Sequence, residues 1–144
     1  MDGGEEGVER VEAVLEEVAA QAGGTVRRAP QPGREVRRVV LMDLVDERGA
    51  MFEVAALEDD GTVRVSGHDR GARVSTYFGP GITSYEWVYI VPPGRVGNLV
   101  GALGGGGDDD VLDLLAGYYE RNHGRIGMLL RSGEVAAEFG NWHS

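Results

Sequence analysis

The stretch that most constrains the fold is residues 85–119, YEWVYIVPPGRVGNLVGALGGGGDDDVLDLLAGYY. It starts as a strand with alternating aromatic side chains, passes through two prolines into a helix, breaks at four glycines, and resumes as a second helix behind three aspartates. Proline suits the first turn of a helix, glycine ends a helix, and aspartate caps the free N–H groups at a helix start. The stretch therefore predicts a transition from a sheet to a helical layer.

The same glycines and aspartates do not form a recognisable ligand site. The glycine run at residues 104–107 lacks the Lys-Ser or Lys-Thr of a phosphate-binding loop, and the three carboxylates that follow would repel a phosphate. The aspartates at residues 108–110 lack the alternating spacing of a calcium loop. We predict a helix stop and a helix cap here, with no metal and no cofactor.

Elsewhere the chain shows no motif of a known reaction centre. It contains no cysteine, no H-E-x-x-H pair and no G-x-S-x-G elbow, so thiol catalysis, zinc-thiolate sites and the usual serine-hydrolase signature are excluded. His68 paired with Asp69 or with a distant serine stays open as an alternative. We predict no catalytic residues.

The remaining pattern predicts one α+β domain over residues 1–144. Residues 6–22 have the apolar spacing of an amphipathic helix, and residues 36–91 alternate as an antiparallel meander of five strands, the fourth of them being RVSTYF. Residues 92–133 form a helical part that packs on one face of the sheet. Residues 134–144 are either a final short strand or an extended tail.

The charge of the chain is strongly negative. There are 24 acidic and 14 basic residues, a formal net charge of −10. Such a charge disfavours nucleic-acid backbones and anionic membrane surfaces and favours a basic protein partner. Since residues 1–17 lack the basic and apolar regions of a signal peptide and no apolar stretch is long enough to span a membrane, we expect a cytoplasmic protein.

Residues 85–135 also resemble a known group of proteins. The strand that ends in Val-Pro, the helix of LVGALGG, the acid-capped helix DDDVLDLLAGYY and the closing LLRSGE are similar to small actinomycete proteins, some of which look like immunity proteins of polymorphic toxin systems. This resemblance implies a non-enzymatic inhibitor that binds a cognate, basic toxin. It brings no catalytic residues with it.

Under this hypothesis the binding surface combines acidic loops with the aromatic strand. Exposed tyrosine and tryptophan beside acids are typical of protein-binding surfaces, although the same aromatic face could instead be core. Two alternatives remain, a small-ligand or regulatory domain that can be dimeric and an enzyme whose site has no sequence motif. The predicted partner-binding residues are Glu58, Asp59, Asp60, Asp69, Tyr85, Trp87 and Tyr89.

Overall fold

A computed structural model describes residues 33–144, so the predicted helix at residues 6–22 lies outside the described residues. Within this range the chain forms an antiparallel sheet in which each strand pairs with the next one along the sequence. The strands are β1 (Glu35–Asp46), β2 (Gly49–Glu58), β3 (Val63–Arg70), β4 (Ser84–Val91) and β5 (Glu138–His143).

Four α-helices and one short 3₁₀ turn occupy the two longer connections of the sheet. Between β3 and β4 lies α1 (Ala72–Phe78). Between β4 and β5 lie the 3₁₀ turn Pro93–Arg95, α2 (Val96–Ala102), α3 (Val111–Arg121) and α4 (Gly127–Arg131). The α+β class is therefore confirmed. None of these helices, all within residues 33–144, is long and apolar enough to cross a membrane.

The helices pack on one face of the sheet, which we call the covered face. Along β4 the residues of this face are Tyr85, Trp87 and Tyr89, and they join a single hydrophobic core with Leu112 and Leu115 of α3. Because side chains alternate along a strand, the residues between them point to the opposite face. We call it the open face because Glu86 is partly exposed there, whereas Val88 and Ile90, further along β4 on the same face, are buried. The predicted alternation of β2, β3 and β4 is confirmed by their register.

The predicted set of strands was wrong in one place. The segment RVSTYF lies in helix α1 and is not a strand. The fifth strand is β5 instead, so the C-terminal segment, predicted as either a strand or a tail, is a strand. Gly71 and Gly79, both with positive φ, flank α1. The helix buries Val74 and stacks Phe78 on Tyr85 with ring centroids 4.2 Å apart. These tertiary contacts override a local composition rich in β-branched residues.

The predicted helix signals of residues 92–133 are confirmed. Pro93 lies at the start of the 3₁₀ turn that leads into α2, and Gly104 has a positive φ just after that helix. Asp110 is the N-cap of α3, where its side chain accepts hydrogen bonds from the N–H groups of Leu112 and Asp113. The carboxylates of Asp110 and Asp113 also pair with Arg37 of β1, which ties the helix to the edge of the sheet.

Candidate protein-interaction surface

The predicted aromatic residues lie in the interior. Tyr85, Trp87 and Tyr89 are at most 2% exposed, because the helical layer covers the face to which they point. The hydroxyl groups are also engaged internally, since Asn141 donates to Tyr85 Oη at 3.0 Å and Arg131 donates to Tyr89 Oη at 3.3 Å. These three side chains are core residues, so a partner cannot reach them in this conformation.

Trp87 fits its buried position because the neighbouring strand supplies a glycine. Gly67 lies directly opposite Trp87 in the register of β3 and β4. A Cβ atom at this glycine would come within 2.5 Å of the indole ring. The indole thus lies flat over the backbone of β3, where only glycine leaves enough room.

Asp69 is a second predicted binding residue that is buried, at 2% exposure. Burial raises the pKa of its carboxyl to about 7, and the nearby Trp87 indole and Arg73 guanidinium oppose that rise without cancelling it. Neither carboxyl oxygen accepts a hydrogen bond of good geometry from the described residues. An acid held in this way is costly to ionise, and it cannot contact a partner while the helices are in place.

The three acids of the predicted β2–β3 hairpin divide into one buried and two exposed residues. Glu58 is 5% exposed and pairs with Arg64, whose Nε lies 2.9 Å from Glu58 Oε2. Asp59 and Asp60 are exposed. Asp60 accepts a hydrogen bond from the N–H of Thr62, which lowers the pKa of its carboxyl. Of the seven predicted residues, only Asp59 and Asp60 are accessible to a partner.

The open face presents a different set of side chains in one row across the sheet. The register aligns one residue from each of four neighbouring strands, β2 to β5. All four side chains are partly exposed, by 35–40%. We call this set the open-face row, and it consists of Phe52, His68, Glu86 and Trp142.

Hydrogen bonds to Trp142 and Ser84 hold the two middle members of the open-face row in place. The indole Nε1 of Trp142 donates a hydrogen bond to Glu86 Oε2. On the other side of the carboxylate, His68 Nδ1 lies 3.7 Å from Glu86 Oε1. The second ring nitrogen of His68 is 3.0 Å from the Ser84 hydroxyl. The row is therefore a preorganised polar centre with an aromatic ring at each end.

Ser84, His68 and Glu86 have the order of a nucleophile, base and acid, but the geometry does not support catalysis. The His68–Glu86 separation of 3.7 Å is too long for a hydrogen bond that orients the imidazole. The N–H groups of Thr83 and Ser84 both donate to the carbonyl of Ser144, so they cannot stabilise an oxyanion. The predicted alternative of His68 with Asp69 is wrong, because these consecutive residues lie on opposite faces of β3.

Exposed apolar side chains extend the open-face row toward β1. Val40 and Val45 are 52% and 76% exposed, and the register pairs each of them with an open-face residue of β2 that lies two positions from Phe52. With Phe52 they surround Asp43, which pairs with Phe52 across β1 and β2. Mixed aromatic, aliphatic and charged side chains at one surface are characteristic of a protein-binding site.

No protein-family model, no curated protein and no solved structure matches this chain. Within residues 33–144, no group of three or more histidine, aspartate or glutamate side chains is arranged to hold a metal ion. The assignment of the surface therefore depends on its own chemistry and geometry.

The open-face row is not evident from the sequence, although the sequence contains half of the signal. The alternation in β2 to β4 already separated Phe52 and Glu86 from the buried aromatic residues. The pattern does not say which face the helices cover. Trp142 could not be placed in the row either, because its segment was predicted as a strand or a tail.

Proposed function

We propose that this protein is a non-enzymatic binding module of the immunity type, which binds and blocks a cognate basic toxin. The observation that carries the proposal is the open-face row, where Phe52 and Trp142 remain exposed at the two ends of a fixed polar centre. Tryptophan and other aromatic residues supply much of the binding energy at protein interfaces. The net charge of −10 would speed association with a basic partner.

The surface chemistry favours binding over the two alternatives. A ligand held between the sheet and the helices would have to displace Tyr85, Trp87 and Tyr89, which fill that space. A serine-hydrolase mechanism at Ser84 would lack oxyanion donors from the neighbouring backbone, as described above. A partner that approaches the open-face row meets neither obstacle.

The proposal is tested with the product of the adjacent gene as the candidate toxin. We expect that product to be toxic alone, to be harmless when co-expressed with this protein, and to form a stable complex with it. Replacing Phe52 and Trp142 together by alanine should weaken the complex by at least about tenfold, because both exposed aromatic anchors are lost. Binding is measured by calorimetry on the purified proteins.

Met128→Ala is the matched control for this experiment. Met128 is also a large, exposed apolar side chain, at 74%, but it lies on α4 in the helical layer. Its replacement should leave the affinity unchanged. An adjacent gene product that is harmless alone and does not bind would contradict the immunity function.

A further inference from the structure

Several carboxylates within residues 33–144 pair with an arginine of the same chain, and Glu86 is one of those that do not. Glu86 is held by the neutral indole of Trp142 and lies near His68, and it forms no ion pair with an arginine of the described residues. The arginine-paired carboxylates include those of Glu35, Asp46, Glu58, Asp110 and Asp113.

The position of Glu86 suits a cation that comes from outside. Its backbone lies one strand spacing, roughly 4.8 Å, from that of Trp142 on one side and of His68 on the other, so its carboxylate stands between their two side chains. The Trp142 hydrogen bond engages Oε2, so Oε1 can accept a further donor. Because the carboxylate is already oriented, a ligand would not have to immobilise it on binding.

The neighbouring indole of Trp142 indicates which kind of cation suits the site. A guanidinium group is planar, so it can donate to a carboxylate oxygen and at the same time stack on an aromatic face. An ammonium group is a compact, strongly hydrated charge and gains less from an exposed ring. The pairing of a fixed carboxylate with a partly exposed tryptophan therefore favours arginine over lysine.

We propose that Glu86 and Trp142 form a receptor for an arginine side chain of the partner. The guanidinium donates to Glu86 Oε1 and stacks on the Trp142 ring, and Phe52 makes an apolar contact at the far end of the row. The acidic surplus of the chain complements such a partner. This inference rests on the proposed function, because it names the contact through which the toxin would be bound.

The test uses the full chain and a small probe, a capped Gly-Arg-Gly-Arg-Gly peptide. The chain contains two tryptophans, so its amide NMR spectrum has two indole N–H resonances, and Trp142→Phe assigns them. We expect the peptide to shift the Trp142 resonance and to leave that of buried Trp87 in place. The peptide with lysine in place of arginine should bind at least about threefold more weakly.

Two charge-matched variants separate the receptor from general attraction. Glu86→Gln should lower the affinity for the arginine peptide about tenfold, because it removes the charged acceptor. Glu138→Gln removes the same charge from an exposed residue on the open face of β5, and it should have little effect. Equal losses in both variants, or equal binding of the lysine peptide, would overturn the receptor.

The outcome for the receptor is distinct from the outcome for the proposed function. If the toxin binds normally to Glu86→Gln and the arginine peptide shifts no resonance, the receptor is wrong and the immunity function stands. If the peptide binds as expected and no toxin does, the receptor stands and the immunity function is wrong.

Discussion

The covered and open faces of the sheet use similar side chains for opposite purposes. On the covered face Trp87 and Asp69 lie close together, both nearly inaccessible to solvent, and neither polar group has a good hydrogen-bond partner among the described residues. On the open face Trp142 and Glu86 form a direct hydrogen bond and are more than a third exposed. The first pair fills space in the core, although its buried polar groups lose their hydration without gaining good hydrogen bonds. The second pair keeps its polar groups satisfied and accessible.

This difference shows that burial, and not residue type, decides which tryptophan and acid can act in recognition. A buried carboxyl without a donor favours its neutral form, whereas the indole donor of Trp142 orients the partly exposed carboxylate of Glu86. Function is therefore better sought in Glu86 than in Asp69, although the sequence surroundings of Asp69 look equally promising.

The largest expected effect is a difference in stability between variants of the two tryptophans. Trp87→Ala should lower the free energy of unfolding by about 3–5 kcal/mol, because it leaves a cavity beneath the helices. Trp142→Ala should lower it by about 1 kcal/mol or less, since its ring is partly exposed. Chemical denaturation of both variants checks this contrast. Similar losses in the two variants would mean that Trp142 is also a core residue.

The next effect is a pH-dependent gain in stability on the covered face. The pKa of Asp69, about 7 in the folded protein, lies above the value near 3.9 of an unfolded chain. The unfolded state therefore releases its proton first, and the wild type loses stability as the pH rises from about 4 to about 7. Asp69→Asn removes this loss, so it should be more stable than the wild type at pH 8 by up to about 4 kcal/mol.

The titration of the neighbouring Tyr85 does not alter the direction of this prediction. Burial raises the pKa of its hydroxyl to about 12, above the tested range. Unfolding of the wild type and the variant is measured at several values between pH 4 and pH 8. The advantage of the variant should shrink toward pH 4, and a constant difference would show that Asp69 does not titrate as described.

The smallest effect concerns a single buried hydrogen bond. The hydroxyl of Tyr119 donates to Glu53 Oε1 at 2.6 Å, and both residues are buried on the covered face. Tyr119→Phe should lower the free energy of unfolding by about 1–3 kcal/mol, because it takes a donor away from a buried carboxyl group. Tyr118→Phe removes a hydroxyl from a less buried position on the same helix and should change the unfolding free energy little. Thermal unfolding of the two variants distinguishes them.

Much of the fold could be predicted because local signals and tertiary contacts agree there. The β2–β3 hairpin, the alternation of β4 and the cap of α3 at Asp110 each depend on a few adjacent residues. Helix α1 differs from the prediction because its conformation depends on contacts outside its own segment, such as the stacking of Phe78 on Tyr85 and the ion pair of Arg73 with Asp46 at 2.6 Å.

The candidate site was less predictable than the fold for a related reason. Alternation separates two faces of a strand, but only the three-dimensional structure shows which face the helices cover. The open-face row also needs Trp142 beside Glu86, two residues that are far apart in the chain. No pattern within one segment carries that information.

The pairing of β5 with β4 has a consequence for how the molecule is made. Ile90 pairs with Glu138 and Tyr85 with His143, so each contact of this ladder closes a loop of roughly 50 residues that contains most of the helices. Contacts of such long range form slowly. During synthesis β2, β3 and β4 can assemble first, while the surface that includes Trp142 is complete only after β5 has returned to the sheet. A freshly made chain would thus complete the proposed binding surface as one of its last folding steps.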